Sequence, residues 1–181
     1  QMRDDLGTED VYKYCTTYTS SYINAEECST SFYNQLKAFK VQPYAKPPRN
    51  FNNTKNADWT SVGEPTPARM LPDGSSVYIN INSFAINISV DTNGPLKKPN
   101  RVGYDIFYFK VPRLAYLSTV KQTATYTQEQ LDALPYYFGY IGGEPCNSVS
   151  TQSGNGRGCS YNAMIDKSPN DPTKGYWESL D

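Results

Sequence analysis

The chain has 181 residues, a length that suits one domain with a real core. Its 17 basic and 18 acidic residues leave a net charge of −1 with no long basic block, which argues against a nucleic-acid partner. Histidine is absent, which excludes the commonest general base and the usual serine and cysteine protease arrangements.

Residues 8–40 read as helical. Val11, Tyr14, Cys15, Tyr18, Tyr22 and Ala25 recur at helical spacing, with Thr8 as N-cap and Glu9 and Asp10 in the positive first turn. A second short helix fits Ser29 to Phe39, with Phe32, Leu36 and Phe39 on one face. Residues 42–75 read as a connecting loop, rich in Asn and punctuated by Pro43, Pro47, Pro48, Pro65, Pro67 and Pro72. Trp59 implies that part of this loop packs back on the body.

Three strands follow, at Ser76–Asn82, Phe84–Val90 and Asp105–Val111. The second places Ile86, Ile88 and Val90 on one face and Ala85, Asn87 and Ser89 on the other. The third places Phe107, Phe109 and Val111 on one face. Thr127-x-x-Gln130 matches a capping box and opens a short helix that Pro135 ends. Asn52-Asn-Thr54 and Asn87-Ile-Ser89 match the glycosylation pattern. The second lies inside a strand, and both are read as chance.

The four cysteines fall in two pairs of equal spacing, Cys15 with Cys28 and Cys146 with Cys159. Zinc would prefer C-x-x-C clusters or histidine, and neither is present. Three disulfide pairings are open, of which the local one is simplest. Closing a loop of about 14 residues stabilises by about 3 kcal/mol in the chain-entropy model. Paired cysteines point to the periplasm or cell exterior. Residues 147–158, between the second pair, have almost nothing to bury and are expected to face solvent.

The loop from Asp91 to Asp105 concentrates side-chain oxygens: Asp91, Asn93, Asn100 and Asp105, shaped by Gly94, Pro95, Pro99 and Gly103. Such a set can hold a hard cation, calcium above all. It can equally cap turns through side chain to backbone hydrogen bonds. Lys97, Lys98 and Arg101 inside the loop weigh against a cation and toward capping. No phosphate-binding loop and no dinucleotide fingerprint is present. The reading is non-enzymatic, with no cofactor required. The 16 tyrosines suit half-buried sheet positions, and some suit contact surfaces.

Taken in order, Leu71-Pro-Asp-Gly74, the strand to Val90, Asp91-Thr-Asn-Gly94, Pro99-Asn100, Gly103 and Asp105-Ile-Phe107 resemble the globular domains of bacterial type IV pilin-like proteins and type II secretion pseudopilins. Gly158-Cys-Ser-Tyr-Asn-Ala-Met-Ile165 is similar to their late cysteine and the short strand that often follows it. The resemblance covers the middle third and the C-terminal fifth. It implies a single pilin-like α+β domain over 1–181, with an N-terminal helix packed on an antiparallel sheet of about four strands. It implies a structural subunit of an extracellular fibre, with copies of itself or other pilin-like subunits as partners. It further implies an apolar anchor helix preceding this sequence, which holds the subunit in the inner membrane before assembly. Some pseudopilins hold calcium in a comparable loop. A secreted adhesin or carbohydrate-binding module using exposed tyrosines is the alternative, and a secreted hydrolase a weaker one.

Overall fold

The computed structural model describes residues 14–15, 23–57, 68–81, 85–112, 145–152 and 154–180. Its elements are helix α1 (Ile23–Gln35), strands β1 (Lys40–Gln42), β2 (Ala68–Met70), β3 (Ser76–Ile81), β4 (Ala85–Asp91) and β5 (Ile106–Pro112), helix α2 (Cys159–Met164) and a 3-10 turn over Trp177–Leu180. The strands form one antiparallel sheet in the order β1-β2-β3-β4-β5. The architecture is mixed helix and antiparallel sheet, stapled by Cys15–Cys28 and Cys146–Cys159.

The three long strands lie within a residue or two of the expected bounds, because their apolar alternation is regular. The sheet has five strands rather than about four. The two strands beyond the three located in the sequence, β1 and β2, lie in or at the edge of the stretch read as loop, each only three residues long. They add to the edge beside β3, where Lys40 faces Met70 and Met70 in turn faces Ser76.

Cross-strand rows explain the core. Val77, Val90 and Phe107 form one row and Ile79, Ile88 and Phe109 the next, all on one sheet face. Helix α1 covers the β3–β4 part of that face, with Cys15, Cys28 and Tyr33 among the buried residues packed there. Phe107 belongs to a second cluster with Phe51, Tyr176 and the Cys146–Cys159 bridge. The opposite face is not left to solvent. Tyr78, Val102, Ile106 and Tyr108 bury there, with Tyr44 and Ala57 packed against them. The expected polar face of β4 is therefore covered, and Asn87 and Ser89 are buried.

Helix α1 differs from the expected Ser29–Phe39 helix at both ends: it begins at Ile23, running through the break expected between two helices, and it closes after Gln35. Lys37 takes φ 55°, its N–H bonds the Asn34 carbonyl, and the Ala38 N–H bonds the Tyr33 carbonyl. That is a Schellman closure, with lysine at the left-handed position that glycine usually fills. Phe39 then leaves the helix and donates its N–H to the Met70 carbonyl. So Phe39 does not share a helix face with Phe32, and it is 68% exposed.

Helical side chains take up N–H groups of β3 and β5, and one of these helices, α2 over Cys159–Met164, stands where the resemblance implies a short strand. The β2 pairing stops at Val77, and the Ile79 N–H beyond it bonds the Tyr33 hydroxyl at 2.9 Å. On the far side, the Tyr108 N–H bonds Oγ of Ser160 in α2 at 2.8 Å. Among the described residues no helix is long and apolar enough to cross a membrane. The expectations at Thr8, Tyr18, Tyr22, Trp59 and Thr127–Leu134 lie outside the described residues.

Candidate functional site

One end of the sheet gathers the 71–75 turn, the 92–105 loop, the 48–57 segment and the C-terminal disulfide loop. The 92–105 loop begins where β4 ends, at Asp91. Its first turn is closed by that side chain, since Oδ1 accepts the Gly94 N–H at 2.8 Å and the Asn93 N–H at 3.2 Å. Gly94 has φ +83°, and a Cβ there would lie 2.6 Å from the Gly74 carbonyl oxygen. Only glycine lets the two turns approach this closely. The other carboxylate oxygen, Oδ2 of Asp91, accepts the Tyr44 hydroxyl at 2.9 Å.

Asp105 closes the loop from its far end. Its Oδ2 accepts the Asn100 N–H at 2.7 Å, and Oδ1 accepts the Arg101 N–H at 2.6 Å. Asn93 joins the two carboxylates, because its side-chain amide donates to Asp105 Oδ2 at 3.3 Å and to the Lys98 carbonyl at 3.2 Å. Asp91 and Asp105 are only 2% and 3% exposed. Burial, with the Asp105 charge beside it, pushes the Asp91 carboxyl up to about 6. Burial also raises Asp105. Burial and the Asp91 charge raise the Tyr44 hydroxyl, so it stays a donor.

The four residues singled out in the sequence thus come together in one loop. Their carboxylates are turned toward N–H and O–H donors, an arrangement of turn caps. The side-chain oxygens of Asn93 and Asn100 are buried and accept no hydrogen bond among the described residues. No group of three or more His, Cys, Asp or Glu that could hold a metal occurs among the described residues. A calcium ion needs six to eight oxygens, and as arranged here the carboxylates are engaged elsewhere.

The same loop is bolted to the neighbouring segments. The Arg49 N–H bonds the Asn100 carbonyl, and the Val102 N–H bonds the Arg49 carbonyl, both at 2.9 Å. The Arg101 side chain lies over the Tyr104 ring at 3.7 Å and donates Nε to the Phe51 carbonyl at 2.7 Å. Its Nη2 reaches that carbonyl as well. At Gly103, φ is +83° and a Cβ would meet Phe51 Cδ2 at 2.6 Å and Cys159 Sγ at 2.7 Å. Tyr176, fully buried, gives its hydroxyl to the Gly103 carbonyl.

The disulfide loop corrects one expectation. Its first half is exposed as expected, with Ser148, Val149, Thr151 and Gln152 in solvent. Its second half is not, since Gly154, Asn155, Gly156 and Arg157 are buried. The cause is hydrogen bonding rather than apolar content. The Asn155 side-chain amide donates to the Asn147 and Ser150 carbonyls at 2.8 Å, and the Asn155 backbone carbonyl accepts the Phe51 N–H at 2.8 Å. Asn50, also fully buried, receives the Thr54 and Lys55 N–H groups on its Oδ1 and donates to the Gln152 carbonyl. Asn52 donates to the Ser150 carbonyl and accepts the Thr54 hydroxyl at 2.6 Å.

Asn50, Asn155, Tyr44, Arg101 and Tyr176 were thus missed as organising residues. The clustering of Asn50, Asn52, Asn53 and Asn56 was the one available signal, since asparagines in such density serve turn chemistry. No protein-family model, no curated protein and no solved structure matches this chain.

Proposed function

We infer that this chain is the globular part of a structural, non-enzymatic subunit of an extracellular fibre of the type IV pilus or type II secretion pseudopilus kind. The observation that carries the reading is the construction of the loop end. Asp91 and Asp105 tie down the D-x-N-G…P-N…G-x-D run from both sides, and the C-terminal disulfide loop is fastened beside it. That run and that late cysteine carry the resemblance. A buried polar loop whose two carboxylates are both engaged by donors of the protein itself suits a rigid building block better than a catalytic cleft. Helix α1 on an antiparallel sheet is compatible with pilin-like packing. In this reading the subunit is anchored in the inner membrane before assembly and then stands at the periplasmic or outer surface. Its partners are copies of itself or related subunits.

The test has two arms. Fibres sheared from the surface of the source cells should contain this chain, detected by antibody and by peptide mass. The coding sequence upstream of Gln1 should read as a short basic leader, a Phe after the cleavage point, a Glu at its fifth position and an apolar helix of about 20 residues. A conventional signal peptide without that helix, together with absence from sheared fibres, would favour a secreted binding module.

A further inference from the structure

Charge is segregated along this chain. Residues 28–57 hold Lys37, Lys40, Lys46, Arg49 and Lys55 and no Asp or Glu. Residues 1–27 hold Asp4, Asp5, Glu9, Asp10, Glu26 and Glu27 against Arg3 and Lys13. Helix α1 straddles the boundary. Glu26 and Glu27 are exposed near its start, and Lys37 and Lys40 are exposed just beyond its end. At 1.5 Å of rise per residue, the two charged ends lie roughly 15 Å apart.

The basic end also carries apolar surface. Leu36, Phe39 and Val41 are 43%, 68% and 47% exposed. The Lys37 closure ends the helix at this point, and β1 is an edge strand whose outer side pairs with nothing among the described residues. Large apolar side chains beside an open strand edge mark a contact surface. The acidic end has an aromatic of its own, because Tyr14 donates its hydroxyl to Glu27 at 2.8 Å.

We propose that copies of this chain associate head to tail along α1, with Glu26 and Glu27 of one copy seated against Lys37 and Lys40 of the next. Leu36, Phe39 and Val41 are buried in that contact. The proposal rests on the fibre-subunit reading and names a contact between neighbouring globular parts. Opposite charges meet in this arrangement. A two-fold pairing centred on the Leu36–Val41 surface would instead bring lysines against lysines. An antiparallel two-fold pairing of whole α1 helices would match the same charges but close as a dimer, so light scattering of the concentrated chain should show species larger than a dimer, and a mass that stops at the dimer overturns the head-to-tail contact. Because the two surfaces differ, the contact is heterologous and leaves a free end of each kind, which is how open filaments grow.

Zero-length carbodiimide crosslinking tests it, since that reagent joins a lysine to a carboxylate only where they touch. An equal mixture of ordinary and nitrogen-15-labelled chain, concentrated at low salt, should yield mixed-isotope peptides linking Lys37 or Lys40 to Glu26 or Glu27. The yield should fall about fivefold in ~0.5 M salt, where charges are screened within a few ångströms. The variants K37E/K40E and E26K/E27K should each lose the link alone and regain it when mixed with one another. Absence of mixed-isotope links in the unmodified chain overturns the proposal, and so does failure of the mixed variants, once shown to be folded, to restore them. The fibre reading fails on a different observation, the absence of the chain from sheared fibres, so the two failures are distinguishable.

Discussion

Tyr44 donates its hydroxyl to Asp91 Oδ2 at 2.9 Å, which ties the segment after β1 to the last residue of β4. The acceptor is a buried carboxylate raised to about 6 by burial and by the neighbouring Asp105. Unfolded, it titrates near the ordinary 3.8. The folded protein therefore holds this proton more tightly. The stabilisation it contributes is full below about pH 4 and is lost as pH rises through about 6. The gap corresponds to roughly 3 kcal/mol. Asp91→Asn removes this titration, so between about pH 4 and 7 it should gain up to that amount on the parent chain in urea unfolding. A difference that stays constant across this range would show that Asp91 does not titrate as described.

Tyr176 is fully buried, and its hydroxyl is bonded to the Gly103 carbonyl. Tyr176→Phe keeps the ring against Phe107 and Trp177 but leaves that carbonyl without its partner. The expected loss is about 1–3 kcal/mol in denaturant unfolding. Tyr176→Ala adds a cavity and should cost about 3–5 kcal/mol. Equal stability of the Phe variant and the parent would mean that water replaces the bond.

Two glycines form a matched pair. Gly74 and Gly103 both have positive φ, +88° and +83°, but a Cβ at Gly74 meets nothing within 4 Å. Gly74→Ala should therefore carry the backbone cost alone, about 1–2 kcal/mol. Gly103→Ala adds the clash with Phe51 and Cys159 and should cost at least about 3 kcal/mol. Comparable melting temperatures for the two variants would contradict the close packing around Gly103.

Turn capping by Asp91 and Asp105 predicts that melting is the same in millimolar calcium and in chelator. A calcium site would show itself by mass action, raising stability about 2.7 kcal/mol at a hundredfold excess over its dissociation constant. Such a rise, abolished by Asp105→Asn, would make Asn93 and Asn100 ligand residues and would reassign the loop.

The long strands were legible because β3, β4 and β5 alternate apolar residues at period two. The local cysteine pairs were legible because both loops are short. The end of α1 was not, since Lys37 does the work usually signalled by glycine. Strands β1 and β2 were not, since three residues among prolines carry too little periodicity to register. In the 91–105 loop, composition brought the right four residues together, yet it left open whether their oxygens face a cation or the backbone. That choice depends on donors such as Tyr44, 47 residues away in the chain, and no local pattern reports it.

The division within the disulfide loop separates what can change from what cannot. Asn147, Asn155 and the buried glycines anchor its base through main-chain groups, while the side chains of Ser148, Val149, Thr151 and Gln152 stand in solvent, with Val149 82% exposed. Substitutions at those four positions leave every anchoring bond intact. Sequence drift can rewrite this crest repeatedly without disturbing the framework beneath it, whereas a single change at Asn155 would remove the side-chain bonds to the Asn147 and Ser150 carbonyls that hold the base of the loop together.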